Sequence, residues 1–433
     1  MPVASSTTPS TPTLSTPALS TPAPRTETPG TPSVPDLIAA LFDPANRADP
    51  YAFYRQLRAA GPLHDGPFGL PMSFTHRDCT AVLQSADWGH DHEAEQLHPT
   101  IPASTFPSTF LWMEPPDHTR LRGLVTKGFT PRRVMGLRPR IEALVDELLD
   151  NALGAGEFDL IEVLAYPLPL TIVCEILGVP REDHPLVQVW SQALARAFDP
   201  DAILPPEDLA ARNRSIPEFL GYFRELVERR RREGGDDLIG ALAAVEEQGD
   251  RLSPDELLGT CVTLIIAGHE TTVNLVGNGM LALMRHPDQM DLLRRQPELI
   301  PAAVEELLRY DSPIHMNTRS AKHPMEIAGR EFGTDDGIVA LIACANRDPA
   351  AYDDPDRFDV TRFASQNRVP RHLSFSLGAH YCLGAPLALM EMQVLLEGIV
   401  ERVPSMELLT DTPPYKPNML IRGLAELPSR FRG

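Results

Sequence analysis

Between Ser253 and Arg285 the chain carries one helical pattern with a marked start, a marked stop and no break. Ser253-Pro254-Asp255-Glu256 combines a Ser N-cap, Pro at the first helical position and Glu three residues after the cap. The cap hydroxyl and the Glu carboxylate can then satisfy each other's free backbone N–H groups. The pattern stops at His286-Pro287-Asp288, where proline cannot continue it. About 32 residues of helix measure roughly 48 Å at ~1.5 Å per residue. A helix of that length crosses a whole domain with its midpoint buried, so the remainder of the fold must pack around it. Most of that remainder also reads as helix, with short strand-like stretches near Gly329, Val339 and Met419 flanked by Gly and Pro. The expected fold class is mainly α with a minor β component.

Residues 1–34 cannot contribute to such a core. They are nearly all Ser, Thr, Pro and Ala in repeated Thr-Pro steps, which bury too little to offset their ordering entropy. A disordered tail is expected. A glycosylated stalk is the rival, and it is disfavoured because no charged, apolar leader precedes it. From residue 35 to 433 the composition is globular without a second linker, so one catalytic domain is expected there. The net charge of -20 argues against a nucleic-acid partner, which needs a basic surface. The strongest apolar stretch, around Leu257 to Ala267, is too short to span a bilayer. Five scattered cysteines, Cys79, Cys174, Cys261, Cys344 and Cys382, contain no CxxC pair and suggest neither zinc nor a disulfide framework. A cytoplasmic protein with no membrane segment is expected.

Of the five, Cys382 has the informative surroundings, Phe375-Ser376-Leu377-Gly378-Ala379-His380-Tyr381-Cys382-Leu383-Gly384-Ala385-Pro386. A helix-forming run, Leu387 to Glu397, follows it. A cysteine at a helix N-terminus meets free N–H groups and the positive end of the macrodipole, and both favour thiolate. Gly378 and Gly384 would let the backbone lie against a flat group. A lone cysteine near a glycine is more often a small buried hydrophobe.

Midway along the long helix lies Ala267-Gly268-His269-Glu270-Thr271-Thr272. Gly, an acid and paired threonines cost helix propensity there. Gly268 removes bulk where a ligand could approach, and Thr271 could turn its hydroxyl onto a preceding carbonyl. A polar cluster at a kink is the structural alternative. Elsewhere, His118 and Arg122 share a helix face at i and i+4, with Arg120 on the solvated side; a wholly solvated basic face is the alternative. Glu306 and Arg309 stand three apart on another helix, and Arg362 follows later.

Together these segments resemble the cytochrome P-450 family. The cysteine segment is similar to the family's haem loop, Phe-Gly-x-Gly-x-His-x-Cys-x-Gly, at every position except Ser376, where the family usually has Gly. The mid-helix segment resembles its Ala-Gly-x-acid-Thr motif, and Glu306-x-x-Arg309 its Glu-x-x-Arg pair. The motifs occur in the family's order from about Pro50 to Arg432. The resemblance implies the family's fold, a long central helix over a haem with the cysteine loop on the opposite face. It implies Cys382 as axial ligand of haem b, with Ala267, Gly268, Phe375, Gly378 and Gly384 against the haem. It further implies His118, Arg122, Arg319 and His380 as propionate partners, and Glu306, Arg309 and Arg362 as a structural network. Glu270 and Thr271 then relay protons to dioxygen.

The implied activity is monooxygenation, hydroxylating or epoxidising an apolar small organic molecule. Electrons are expected from NAD(P)H through a separate ferredoxin reductase and ferredoxin, with Lys127, Arg132 and Arg133 as docking charges. By family position the pocket is expected around Asp91 to Phe110, Ala197 to Ala210, Ala267, Ile314 to Asn317 and Met419, with His315 and Asn317 able to orient a polar group. Desaturation, phenol coupling or nitration on the same centre remain alternatives, as does a non-catalytic haem sensor, which would have no use for Glu270-Thr271.

Overall fold

In the computed structural model, which describes residues 32–90, 107, 109–235, 237–244, 246–247 and 250–432, the chain is mostly helix. The helices that build the site are α1 (Val34–Phe42), α2 (Asp117–Gly128), α3 (Arg138–Ala155), α4 (Pro167–Ile176), α5 (His184–Ala195), α6 (Pro206–Glu233), α7 (Pro254–Arg285), α8 (Ile300–Tyr310) and α9 (Ala385–Arg402). The tail expected to be disordered falls, over residues 1–31, outside the described residues, as does most of the expected pocket segment 91–110.

Helix α7 begins and ends where the sequence signals place it. Ser253 Oγ accepts from the Glu256 N–H at 3.2 Å, and the Ser253 N–H donates to Glu256 Oε2 at 2.8 Å. Its 32 residues run unbroken to Arg285. The helix is buried by two different cores. Its first half, through Leu258, Cys261 and Ile265, packs with Leu170 of α4, Val187 of α5 and Phe219 and Phe223 of α6. Its second half, through Val276 and Met280, packs with Ile141 and Leu149 of α3, Leu307 of α8 and Leu395 of α9. Burying each such aliphatic side chain contributes about 2 kcal/mol. Between the cores, at Ile266, Ala267, Gly268 and Thr271, burial lapses and the helix presents an open face.

The strands are few and short. β1 (Leu63–Asp65), β2 (Pro71–Ser73), β3 (Trp88–Gly89), β5 (Asn317–Ala321) and β8 (Gly337–Ala340) form one sheet in the order β1-β2-β8-β5-β3. The β8–β2 pair is parallel and sets Val339 beside Met72, while Ile338 opposes Arg319 across the antiparallel β8–β5 ladder. β6 (Met325–Ile327) and β7 (Arg330–Phe332) form a hairpin whose turn holds Gly329 at φ 80°. β4 (Glu157–Asp159), β9 (Ser405–Leu408) and β10 (Pro428–Arg432) form a third sheet. The strand expected near Met419 is not formed. That residue lies in a bend between single bridges at Ile314–Ile421 and Tyr415–Leu424. The N–H groups of Met419 and Leu420 donate instead to Asp199 Oδ1, at 2.9 and 3.1 Å.

Candidate active site

Cys382 closes a loop whose geometry follows from its turn residues. The Cys382 N–H donates to the Phe375 carbonyl at 2.9 Å, and the Ser376 N–H to the Leu373 carbonyl at 2.8 Å. Between them Ser376 sits at φ 59° and Gly378 at φ 66°, both in the left-handed region. A Cβ on Gly378 would also stand 3.0 Å from the Leu83 carbonyl oxygen, so glycine is required there by strain and by space. Ser376 occupies a comparable conformation at a cost of about 1 kcal/mol, and its hydroxyl accepts from Arg319 at 3.4 Å.

Cys79, Cys174, Cys261 and Cys344 are buried, whereas Cys382 is half-buried. Burial pushes the Cys382 thiol above its ordinary value; the N–H groups of Gly384 and Ala385 at the start of α9, and the Arg122 guanidinium, offset only part of that rise. The sulfur therefore faces hydrogen-bond donors and a cation, as the helix-terminus argument requires.

Around this loop the expected basic residues converge. His118 and Arg122 stand on α2, where His118 is buried and Arg122 donates to the Tyr381 carbonyl next to the cysteine. The His118 and His380 rings lie 4.5 Å apart. Arg319, from β5, is buried and donates to the Thr318 carbonyl at 2.7 Å and to Asn317 Oδ1. Arg120 is exposed and binds Glu256, on the solvated side where it was expected.

Three neighbours had no sequence signal. The His90 ring lies 4.5 Å from that of His380. Glu114 accepts from the His90 N–H at 3.0 Å and binds Lys322, and its Oε1 stands 3.4 Å from His380 Nε2. Burial, with Arg319 and His118 nearby, pushes His380 down to about 4.

Glu306 is fully buried and grips two arginines. It accepts from Arg309 at 2.6 and 2.8 Å and from Arg362 at 3.2 Å. Arg309 also donates to the Asn346 carbonyl at 2.9 Å. The Asn346 side chain then binds the Leu373 N–H at 2.8 Å and Ser374 Oγ at 2.9 Å. The ion-pair network is thus tied by two hydrogen-bonded steps to the irregular segment, Leu373 and Ser374, that launches the cysteine loop.

On α7, Thr271 donates to the Ala267 carbonyl at 2.7 Å and Thr272 to the Gly268 carbonyl at 3.0 Å, without breaking the helix. A Cβ on Gly268 would meet nothing within 4 Å. Glu270 turns away from that open face. It is buried in an ion pair with Lys416, which also donates to Asn274 Oδ1 at 3.0 Å, while the Tyr166 hydroxyl stands 3.5 Å off.

The cytochrome P450 family profile matches residues 98–428. The chain belongs to the cytochrome P450 family. It is 40% identical over 397 residues to the cytochrome P450 monooxygenase PikC of Streptomyces venezuelae, covering 89% of this chain and 92% of that one. Its backbone is similar to the ligand-free crystal structure of Mycobacterium smegmatis CYP164A2, with TM-score 0.82, 41% identity and coverage of 91% and 99%. Myxobacterial CYP267B1 in complex with myristic acid gives TM-score 0.81 at 36% identity, covering 91% and 99%. The protein is a bacterial-type P450 monooxygenase, mainly α with a minor β component, and membership implies a haem.

The residues present fit that group. His118 Nε2, His380 Nε2 and His90 Nδ1 are buried without a hydrogen bond. Arg122 stands beside His118 and Arg319 beside His90 and His380, and among the described residues the carboxylate met by His90 and His380 is Glu114. Donors outnumber acceptors there, which is the complement of a group carrying two carboxylates. No helix among the described residues is long and apolar enough to cross a membrane.

Proposed function

We propose that the chain hydroxylates or epoxidises an apolar small organic molecule, with Cys382 as axial ligand of haem b and dioxygen as co-substrate. When bound, the haem supplies thiolate-assisted oxygen activation. The observation that carries this reading is the Cys382 sulfur, set at the start of α9 against the Gly384 and Ala385 N–H groups. Phe375, Gly378 and Gly384 shape the loop beside it. His118, Arg122, Arg319 and His380 hold the propionates, and Glu306, Arg309 and Arg362 hold the segment that leads into the loop. The open face of α7 at Ala267 and Gly268 leaves room for ligand and substrate, with the Thr271 hydroxyl at its edge. Thr271 and Glu270 handle the protons that the reaction consumes; Lys416, paired with the Glu270 carboxylate, holds it in position.

Myristic acid, held by the myxobacterial relative, belongs to the proposed substrate class. Residues 35–433 form the catalytic domain of a cytoplasmic protein, and electrons arrive from NAD(P)H through a ferredoxin reductase and a ferredoxin. Lys127, Arg132 and Arg133, exposed at the end of α2 and just beyond it, supply docking charge for an acidic partner. The test is the visible spectrum of the reduced protein under carbon monoxide, beside Cys382→Ala. A strongly red-shifted Soret band that vanishes in the variant is the expected result. A Soret band in the position of histidine-ligated haem would overturn the assignment.

A further inference from the structure

His90 owes its place beside the cysteine loop to a strand pairing. It follows directly on β3, whose antiparallel ladder sets Trp88 opposite Ala321 and Gly89 opposite Ser320 of β5. One step further in that register His90 stands opposite Arg319. Directly opposed residues of an antiparallel pair project from the same face of the sheet. The buried Arg319 guanidinium is accordingly one of the charges that bear on the His90 ring.

Two further contacts fix the backbone at this point. The His90 N–H donates to Glu114 Oε1 at 3.0 Å, and Glu114 Oε2 binds Lys322. Lys322 is itself held, its N–H donating to the Asp87 carbonyl at 2.9 Å. The ion pair passes directly over Gly89, where a Cβ would lie 2.6 Å from Lys322 Cε and 3.1 Å from Glu114 Cδ. A residue without a side chain lets the pair close. Glu114 leads into α2, which carries His118 and Arg122, so this clasp joins β3, the end of β5 and the start of that helix.

The ring so placed carries an unmet demand. It is held between two others, with His380 at 4.5 Å and Trp112 edge-on at 5.5 Å. His90 is 8% exposed, and its Nδ1 is buried with no hydrogen bond. Burial, with Arg319, His380 and His118 nearby, pushes it down to about 2, so the imidazole is neutral and offers one N–H. A buried donor without an acceptor is costly. Among the described residues the carboxylate it meets, Glu114, is already taken by the His90 backbone and Lys322. The missing acceptor is a carboxylate from outside the chain.

We propose that His90 is a haem-positioning residue, its Nδ1–H donating to a propionate carboxylate alongside Arg319, with Glu114 and Lys322 as the clasp that aims it. It joins His118, Arg122, Arg319 and His380 in that task. The identity of the bound group rests on the haem-thiolate reading; the unpaired ring and its clasp do not.

The experiment compares the purified holoprotein with His90→Phe, which keeps a flat ring without an N–H, and with His90→Asn, which restores a donor near the same place. Haem transfer to an excess of apomyoglobin measures retention. The propionate bending bands of the resonance Raman spectrum report on the carboxylate itself. Loss of a hydrogen bond to a charged acceptor should speed haem transfer from His90→Phe about tenfold and shift the bending bands. His90→Asn should recover most of the rate and return the bands toward the parent. Parent-like transfer and bands in His90→Phe overturn the proposal and leave Nδ1 to a buried water. Faster transfer with unshifted bands overturns it as a packing defect alone, and so does a His90→Asn protein that matches His90→Phe in both measures. The Soret band of the reduced protein under carbon monoxide reports the thiolate ligand separately. A band in the histidine-ligated position, with the expected variant effects, would keep His90 on the propionate and discard the monooxygenase reading.

Discussion

Lys416→Met should destabilise the protein by about 3–5 kcal/mol, because it leaves the buried Glu270 carboxylate without its cation. The two side chains are 11% and 4% exposed, so solvent screens little of their attraction. Burial opposes the charge on Lys416, but Glu270 and Tyr166 outweigh it and hold the ammonium above its ordinary 10.5. The sign follows: this stability is fully present below the unfolded-state value and is lost as pH rises through the raised one. Unfolding entropy of about 2.1 cal/mol/K per residue gives roughly 0.8 kcal/mol/K for the unit Val34–Gly433. A loss of 4 kcal/mol is then a fall of about 5 °C in melting temperature at pH 7. Glu270→Gln alone should cost a similar amount by stranding Lys416. The double variant, Lys416→Met with Glu270→Gln, removes both charges and should recover about half of the loss, since Asn274 Oδ1 still forfeits its donor. The measurement is thermal unfolding of the four proteins, followed by far-ultraviolet circular dichroism. A Lys416→Met protein melting within 1 °C of the parent would refute the reasoning. So would single losses that simply add in the double variant.

Glu306→Ala strands Arg309 and Arg362 and should lower the melting temperature by about 5 °C on the same arithmetic; haem content per chain, read from the Soret absorbance, should fall with it because the network reaches Leu373 and Ser374. Ser376→Gly relieves a left-handed residue and should stay within about 1 kcal/mol of the parent, whereas Ser376→Val places a branched side chain at φ 59° and should cost about 2 kcal/mol or more, both read by denaturant unfolding. Burial pushes the Glu391 carboxyl on α9 up to about 8, so the folded state holds a proton that the unfolded state releases above its ordinary 4.5. Stability should therefore fall as pH rises from about 4.5 to 8, and Glu391→Gln should flatten that slope in melts taken across the range.

What the sequence made legible, and what it hid, divides by the range of the interactions. The start of α7 was readable because its determinants lie within four residues of one another, and Ser253 and Glu256 bond as their spacing requires. Ser376 was readable as a departure in a tight turn, since the positive φ that favours glycine is a local property. The partner it acquired, Arg319, lies 57 positions away and was not. Glu270 is the sharper case. Its place in an acid–alcohol motif pointed to proton transfer, and nothing near it announced Lys416, 146 residues later on an irregular segment with no period of its own. The same holds for His90 and Glu114, which join the basic cluster only because β3 pairs with β5, the strand that carries Arg319. Met419 failed in the opposite sense. The apolar run around it has strand character, but the N–H groups of Met419 and Leu420 are taken by a buried aspartate more than two hundred residues upstream. A helix cap is an agreement between neighbours, whereas a buried charge finds its counter-ion wherever the chain returns. The functional face of α7 is set by both kinds of contact: local propensity gave it an open glycine at Gly268, and a remote lysine decides which way Glu270 points.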